Sequence, residues 1–321
     1  MSNKLSVIGC GRWGSCLAWY TDRIGEDVIL YGRKGASDFA ALKETRKNEF
    51  VTLPASVALT DDLAEALASD TLIISIGSQN LRAFLAECAP FDLTGKTIVL
   101  CMKGLEIESG MRLSSIVREV LGERVRVAVW VGPGHIQDFV LGIPNCMVID
   151  SDDEETKTEL AHRFASDLIR FYVGQDLVGN EIGAAAKNVY GIGAGILDGL
   201  GYASLKGAFI VRSAVEMARF ITACGGDAKS IYGLAFLGEC ETTFFSPHSN
   251  NKRFGEKFVR GEAETRLCEG VYSLEVLHRQ SREKGVEMPI CDALYRCVIA
   301  RETDAKTLLA TLFSRSLKEE F

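Results

Sequence analysis

Residues 5–22 read LSVIGCGRWGSCLAWYTD, and the order of patterns in this stretch indicates the fold class. An apolar run predicts a buried strand, and the residues after the third glycine are compatible with a helix. The turn between them is Gly9-Cys10-Gly11-Arg12-Trp13-Gly14. Gly9 permits a tight turn, Gly11 lets the backbone approach a pyrophosphate, and Gly14 allows close helix–strand packing. The stretch predicts a dinucleotide-binding unit with the phosphates at the helix N-terminus.

The rest of the first half continues this alternation of apolar runs and amphipathic stretches. Strands are predicted at 5–8, 28–31, 72–76, 97–101, 125–131 and 146–149. Helical patterns such as 61–68 and 112–121 lie between them, which implies right-handed crossovers and a mostly parallel, doubly wound sheet. A last helix over 151–170 and a closing strand at 171–173 complete the predicted sheet domain.

The second half has no further strand pattern. A periodicity of 3.6 residues predicts helices at about 180–198, 206–223, 229–237, 263–284 and 290–301. The predicted fold class is therefore α/β, with an N-terminal Rossmann-type doubly wound parallel sheet followed by an all-helical C-terminal domain. We expect a dinucleotide-binding domain over residues 1–178 and a helical substrate or catalytic domain over 179–321.

Charge and composition restrict the partners. The net charge of -7 argues against nucleic acid and anionic membrane surfaces as partners, and an apolar run long enough to insert into a membrane is missing from the sequence. Ten scattered cysteines without a C-x-x-C pair favour a reducing cytoplasm. The four histidines are too dispersed for a helical metal site, so we expect no metal.

The helix predicted over 180–198 carries an unusual face. Spacing of four residues places Gly183, Lys187, Gly191 and Gly195 in one row. Each interior glycine costs up to ~1 kcal/mol relative to alanine, so the row needs a packing or functional reason. A lysine among small residues loses hydration, which favours a neutral amine that exchanges protons with a substrate oxygen. Alternatively, the lysine snorkels to the surface and the glycines allow helix–helix contact.

A basic turn follows the second predicted strand. Residues 31–34 read YGRK, where a NAD-specific site would place a carboxylate for the ribose 2′-hydroxyl. Arg33 and Lys34 could instead accept the 2′-phosphate of NADP, so either NADP or NAD is expected, with Arg33 slightly favouring NADP. A solvated basic turn is the alternative.

Several ordered blocks carry a resemblance to a known family. They are GCGRWG at 9–14, LASDTLIISIGSQNLRAFL at 67–85, CMKGLE at 101–106, VGPGHIQDF at 131–139, EIGAAAKNVYGIGAGILDGLG at 181–201, GLAFLGECETTFFSPHSNNKRFG at 233–255 and CEGVYSLEVLHRQSREKGVEMPIC at 268–291. Over nearly its whole length the chain resembles the bacterial type of NAD(P)-dependent glycerol-3-phosphate dehydrogenase. The resemblance implies reversible reduction of dihydroxyacetone phosphate to sn-glycerol 3-phosphate, for phospholipid precursor synthesis. A homodimer is a further expectation.

The resemblance also implies site residues by matching position. Lys187 would be the catalytic general acid and base. The substrate would contact Lys103, Gly132, Gly134, Lys187, Asn188, Glu239, Thr243, Ser249, Asn250 and Asn251. The cofactor would contact Gly9, Gly11, Arg12, Trp13, Gly14, Arg33, Lys103, Ile136, Asn250 and Glu269. Independently of the family, Lys103 follows the strand predicted at 97–101, and open α/β sheets bind ligands at the carboxyl ends of strands.

The chain departs from the family pattern in the substrate region. It has Glu239 where aspartate is usual, Asn250 where an arginine clamps the substrate phosphate, and Gly134 where serine or threonine is usual. Lys252 and Arg253 could supply the missing charge, although a shifted charge does not reproduce a bidentate fork. Two alternatives therefore stay open: a paralogous reductase of another phosphorylated or polyol-like ketone, and a non-catalytic NAD(P)-binding sensor.

Overall fold

A computed structural model describes residues 4–317 and 319, which form two compact units. The first, called here the sheet unit, holds the described residues up to Met102 together with Met111–Leu177. The second, the helical unit, holds Lys103–Gly110 and the described residues from Val178 onward. As folding domains we propose residues 1–178 and 179–321, which separate expression of the two fragments would test.

The sheet unit is built on one eight-stranded sheet in the order β3-β2-β1-β4-β5-β6-β7-β8. The strands are β1 (Lys4–Ile8), β2 (Asp27–Tyr31), β3 (Ala58–Thr60), β4 (Thr71–Ile74), β5 (Thr97–Leu100), β6 (Arg126–Val131), β7 (Asn145–Asp150) and β8 (Ile169–Val173). Val7 of β1 lies in register with Leu30 on one side and Ile73 on the other. All neighbouring strands are parallel except β6 and β7, so the mostly parallel, doubly wound sheet is confirmed.

Helices connect these strands and cover the sheet. They are α1 (Arg12–Arg23), α2 (Ser37–Thr45), α3 (Leu63–Leu67), α4 (Leu81–Cys88), α5 (Leu113–Leu121), α6 (Ile136–Val140) and α7 (Glu154–Phe164). The central strands read as continuous apolar runs because their residues are buried on both faces, as Ile73, Val99 and Ala128 are. These strands could be predicted from the sequence because burial on both faces requires apolar residues without interruption.

The helix predicted over 151–170 is too long. The structure has α7 followed by β8, which begins at Ile169. The Asp153 side chain accepts a hydrogen bond from the Thr156 backbone N–H at 2.6 Å and starts the helix. Ala165 has an extended backbone and ends it, because the amide of Ser166 then bonds to the Ile169 carbonyl in the turn before the strand.

The helical unit contains seven α-helices among the described residues. They are α8 (Leu177–Gly199), α9 (Lys206–Ala223), α10 (Glu239–Phe245), α11 (Asn250–Arg260), α12 (Glu269–Glu283), α13 (Pro289–Val298) and α14 (Ala305–Phe313). The helix predicted at 229–237 is instead a 3₁₀ turn, Ala228–Tyr232, followed by a π-helical turn, Leu234–Gly238. Among the described residues, no helix combines the length and apolarity that crossing a membrane requires.

The glycine row of α8 allows other segments to approach the helix backbone. A Cβ on Gly195 would collide with the Lys252 carbonyl of α11, and one on Gly191 would lie 2.7 Å from Cγ2 of Thr243 in α10. In return, a Cβ on Gly255 would collide with the Ile192 carbonyl. The packing explanation for these glycines is confirmed, because only glycine leaves room for the neighbouring backbones.

Candidate active site

The phosphate loop of the sheet unit has the geometry that its sequence predicts. Gly9 has φ +109°, which favours glycine, and a Cβ on Gly14 would collide with the Gly9 carbonyl. A Cβ on Gly11, by contrast, would meet nothing within 4 Å. Gly11 caps α1 without a side-chain hydrogen bond, and the first turn of α1 has no acidic residue. The first N–H groups of α1 therefore fit a pyrophosphate.

Segment 132–136 lies against the phosphate loop within the sheet unit. The Trp13 and Phe139 rings have centroids 6.2 Å apart. A Cβ on Gly134 would lie 2.7 Å from the Phe139 ring and 3.7 Å from the Trp13 ring, so the aromatic pair occupies the space of a side chain at this position. Gly132 has φ +133°, and Ile136 is buried at the start of α6. The structure thus brings Gly134 and Trp13 together.

A pocket of about 330 Å³ lies beside the phosphate loop. Its lining includes Gly11, Arg12, Asp38 and Lys47. Asp38 lies in the first turn of α2, a few residues after the 31–34 turn where a ribose-binding acid was expected. Its place at the start of the helix that follows this turn is the sequence feature that could have identified it. Arg33, for its part, forms an exposed ion pair with Glu87 at 3.1 Å.

A buried carboxylate joins two lysines in the helical unit. Glu239 opens α10 with its side chain 2 % exposed, and its Oε2 lies 2.9 Å from Nζ of Lys187 on α8. Its Oε1 forms an ion pair with Lys103, which the short segment Lys103–Gly110 supplies. Lys187 also donates a hydrogen bond to Oγ1 of Thr243 at 3.0 Å. The snorkelling alternative for Lys187 is wrong, because its side chain is 13 % exposed and bound on the inside.

The electrostatics keep Glu239 ionised. Burial raises its pKa, but the ammonium groups of Lys103 and Lys187 outweigh the burial and leave the pKa below its ordinary value. With both lysines protonated and Glu239 ionised, the three side chains carry a formal net charge of about +1. Such a site attracts an anionic substrate.

Two buried amides fix the backbone of Lys103. Asn188, next to Lys187 on α8, donates from Nδ2 to the Lys103 carbonyl at 3.0 Å. Asn251 donates to Oδ1 of Asn188 at 2.9 Å and accepts from the Gly270 backbone N–H at 3.0 Å. Gly270 follows Glu269, the first residue of α12. This amide chain therefore connects three of the predicted positions and Gly270, the neighbour of a fourth, and it orients Lys103 through its main chain.

The beginning of α11 shows what surrounds Asn250. Ser249 caps this helix, since its Oγ accepts from the Lys252 backbone N–H at 3.2 Å. The Asn250 amide accepts from Nη2 of Arg253 at 2.7 Å, and Arg253 in turn pairs with Glu264 at 2.8 Å. The guanidinium thus lies directly beside the position where the resembled family has arginine.

Lys252 is turned to other partners. Its Nζ pairs with Asp198 at 3.0 Å and with Glu256 at 3.1 Å. Of the two cations that the sequence offered as substitutes for the missing arginine, only Arg253 contacts Asn250 among the described residues. The sequence did not identify Asp198 as the partner of Lys252 or Glu264 as the partner of Arg253. Which cation an acidic side chain pairs with depends on tertiary packing.

The phosphate loop of the sheet unit is of the kind that binds dinucleotides, and the comparisons place the chain in a class of protein, the NAD(P)-dependent oxidoreductases. More narrowly, the chain belongs to the NAD-dependent glycerol-3-phosphate dehydrogenase family. The model of the family's N-terminus matches residues 4–157, and that of its C-terminus matches residues 176–310.

Full-length relatives agree with this assignment. A glycerol-3-phosphate dehydrogenase [NAD(P)+] of Pelodictyon phaeoclathratiforme is 34 % identical, with 99 % of each chain covered, and one of Aeromonas salmonicida is 35 % identical, with 98 % of each covered. The solved structure of glycerol-3-phosphate dehydrogenase from Coxiella burnetii is similar with a TM-score of 0.90 at 25 % identity, covering 98 % of this chain and 99 % of that one. The chain is accordingly an NAD(P)-dependent oxidoreductase of the glycerol-3-phosphate dehydrogenase type.

Proposed function

We propose that the protein reduces dihydroxyacetone phosphate to sn-glycerol 3-phosphate with NAD(P)H, and that Lys187 is the general acid. The observation that carries the proposal is the Lys187–Glu239 ion pair. An ammonium group has three N–H donors, and Lys187 spends one on Glu239 and one on Thr243. The third can bind a substrate carbonyl oxygen.

In the proposed reaction the chain supplies the proton. Lys187 donates it from Nζ to the carbonyl oxygen, which becomes the hydroxyl of the product, and accepts it again in the reverse direction. Glu239 holds Nζ of Lys187 in place through the ion pair. The hydrogen bond to Thr243 fixes the orientation of a second N–H of the same ammonium group.

The residues of the sheet unit fit the dinucleotide. Gly9, Gly11 and Gly14 would hold the pyrophosphate at the start of α1, and Arg12, Trp13 and Ile136 would line the neighbouring surface. When bound, the nicotinamide supplies the hydride. We also assign Arg33, Lys103, Asn250 and Glu269 to cofactor binding.

Substrate binding is proposed to use the positive lysine cluster and the start of α11. Lys103, Glu239 and Asn188 belong to the cluster and its amide chain, and Gly132 and Gly134 would lie against the substrate. Ser249, Asn250 and Asn251 would bind its phosphate end. Arg253 supports this reading because its guanidinium contacts Asn250 and provides a positive charge one helical turn from the family's arginine position.

The same contacts favour a second candidate function. Arg253 is paired with Glu264, so the charge that it offers a phosphate is partly neutralised. A paralogous reductase that acts on another phosphorylated or polyol-like ketone would keep Lys187 and change this end of the site.

Initial rates decide between these functions. We would measure oxidation of NADPH and of NADH by the purified protein with dihydroxyacetone phosphate, and compare Lys187→Ala with Lys229→Ala, a lysine of the same unit outside the cluster. Rapid turnover that only Lys187→Ala abolishes supports the proposal. Tight cofactor binding without turnover contradicts it and directs the search to other ketones.

Three further assignments complete the proposal. We infer a cytoplasmic enzyme, since all ten cysteines, which lie within the described residues, are free thiols. We infer a homodimer, which sedimentation velocity would test. The product would enter phospholipid precursor synthesis.

A further inference from the structure

A mainly apolar cavity, partly open to solvent, lies in the helical unit and shares no residue with the candidate active site. Its volume is about 220 Å³. Side chains from four helices line it, among them Leu197 of α8, Phe209 of α9, Ile290 of α13, and Leu309 and Leu312 of α14. A dry apolar cavity of about 150 Å³ already accepts benzene, so this one accommodates a longer hydrocarbon.

Arginines stand around the same cavity. Arg212 and Arg219, two turns apart on α9, and Arg315, just beyond α14, all contribute to its lining. Arg315 is neutralised by Glu287 at 2.5 Å. Arg219 donates from Nε and Nη2 to the Glu287 backbone carbonyl, which carries no formal charge.

Arg212 has neither a hydrogen bond nor an ion pair with any residue that the structure describes. Its side chain is exposed, yet it borders a cavity whose other walls are mainly apolar. Among the described residues that line the cavity, the three arginines are the only charged ones, so its lining is positively charged. An arginine beside apolar surface binds carboxylate and phosphate groups through paired N–H donors.

We propose that this cavity binds an amphiphilic anion, with an alkyl chain of medium length inside and a carboxylate or phosphate head group at Arg212 and Arg219. The apolar walls select the chain, because each buried methylene raises affinity about fourfold. The arginines select the head group and exclude the corresponding alcohol. Since α14 supplies one wall, the bound ligand contacts this helix as well as α9 and α13.

The test uses octanoate as the probe and the full-length protein. Isothermal titration calorimetry should give saturable binding at one site per chain, while hexanoate, which is two methylenes shorter, binds about 15-fold more weakly. Octyl phosphate in a parallel titration distinguishes a phosphate head group from a carboxylate. Octanol should bind at least about tenfold more weakly than octanoate, because it cannot make the charge-assisted hydrogen bonds.

Two variants locate the site. Arg212→Ala, at an exposed position that folding tolerates, should weaken octanoate binding about tenfold or more, whereas the control Arg126→Ala on the sheet unit leaves it unchanged. Ala208→Phe fills the cavity and should abolish binding. The proposal is overturned if octanoate gives no saturable heat, if octanol binds as tightly, or if Arg212→Ala has no effect.

Discussion

Nζ of Lys187 lies 2.9 Å from Oε2 of Glu239, whose side chain is 2 % exposed. The two residues come from different helices, α8 and α10, and their pairing is the centre of the proposed mechanism. Removing one partner of such a pair leaves a buried charge without compensation.

Lys187→Ala should lower kcat about 100-fold or more, because general acids contribute rate factors of this size. The dissociation constant of NADPH should stay the same, since the phosphate loop belongs to the sheet unit. Stopped-flow turnover and fluorescence titration measure the two quantities. A variant with unaltered kcat would exclude Lys187 as the proton donor.

Glu239→Gln should lose activity and melt at a lower temperature, because two ammonium groups would then face a neutral amide. Glu239→Asp keeps the carboxylate and should keep a larger share of the activity. Since the lysines hold the pKa of Glu239 below its ordinary value, the wild-type rate should not follow ionisation of this group between about pH 5 and 8. Equal activity of the Gln and Asp variants would contradict a role for the charge.

Asn250→Arg should lower KM for dihydroxyacetone phosphate by about 10- to 100-fold, since a charge-assisted hydrogen bond contributes about 1.5–3 kcal/mol. Asn250→Gln is the matched control, because it lengthens the side chain without charge. Steady-state kinetics at fixed NADPH give both values. An unchanged KM would indicate that Arg253 already supplies the charge or that the natural substrate is another ketone.

Asp38→Asn should shift cofactor preference toward NADPH. Asp38 lines the pocket beside the phosphate loop together with Arg12 and Lys47, and removal of its negative charge favours a 2′-phosphate there. We expect the ratio of kcat/KM for NADPH over NADH to rise about tenfold. Arg33→Ala tests the sequence-based prediction that Arg33 favours NADP, and on that prediction it should lower the same ratio. If the ratio stays unchanged, the cofactor preference is set by the pocket that Asp38 lines.

Glu216 should make stability fall as pH rises. Burial raises the pKa of Glu216 to about 7 from 4.5, although hydrogen bonds from the backbone of Ile290 and Cys291 and from the Tyr190 hydroxyl lower it. The folded state therefore holds a proton that the unfolded state releases, so this contribution is complete below about pH 4.5 and is lost as pH approaches 7. Urea denaturation at pH 5 and pH 8 should show a smaller difference for Glu216→Gln than for wild type. Identical differences would exclude titration of Glu216 in this range.

The sequence predicted the sheet because its strands are apolar without interruption, and it predicted the phosphate loop because three glycines have separate backbone roles. It did not reveal β3, which has three residues, or the π-helical turn before Glu239, whose periodicity resembles that of an α-helix.

The ion-pair partners of Lys187 could not be predicted from the sequence. The row of its own helix that contains Lys187 otherwise holds glycines, which suggested an environment of small residues. Glu239 and Lys103 come from segments far away in the chain, and their convergence on Lys187 depends on tertiary packing. The resemblance named all three residues, but neither it nor the spacing indicated that they form one ion-paired cluster.

The short segment Lys103–Gly110 belongs to the helical unit although it interrupts the sequence of the sheet unit. The chain therefore enters the helical unit, leaves it, and returns only after Leu177. During synthesis Lys103 emerges long before Glu239 and Asn188 exist to bind it. In a hybrid protein whose residues after 178 come from another chain, the helical unit would combine foreign helices with the Lys103–Gly110 segment of this chain. The two halves of this enzyme are therefore not interchangeable cassettes.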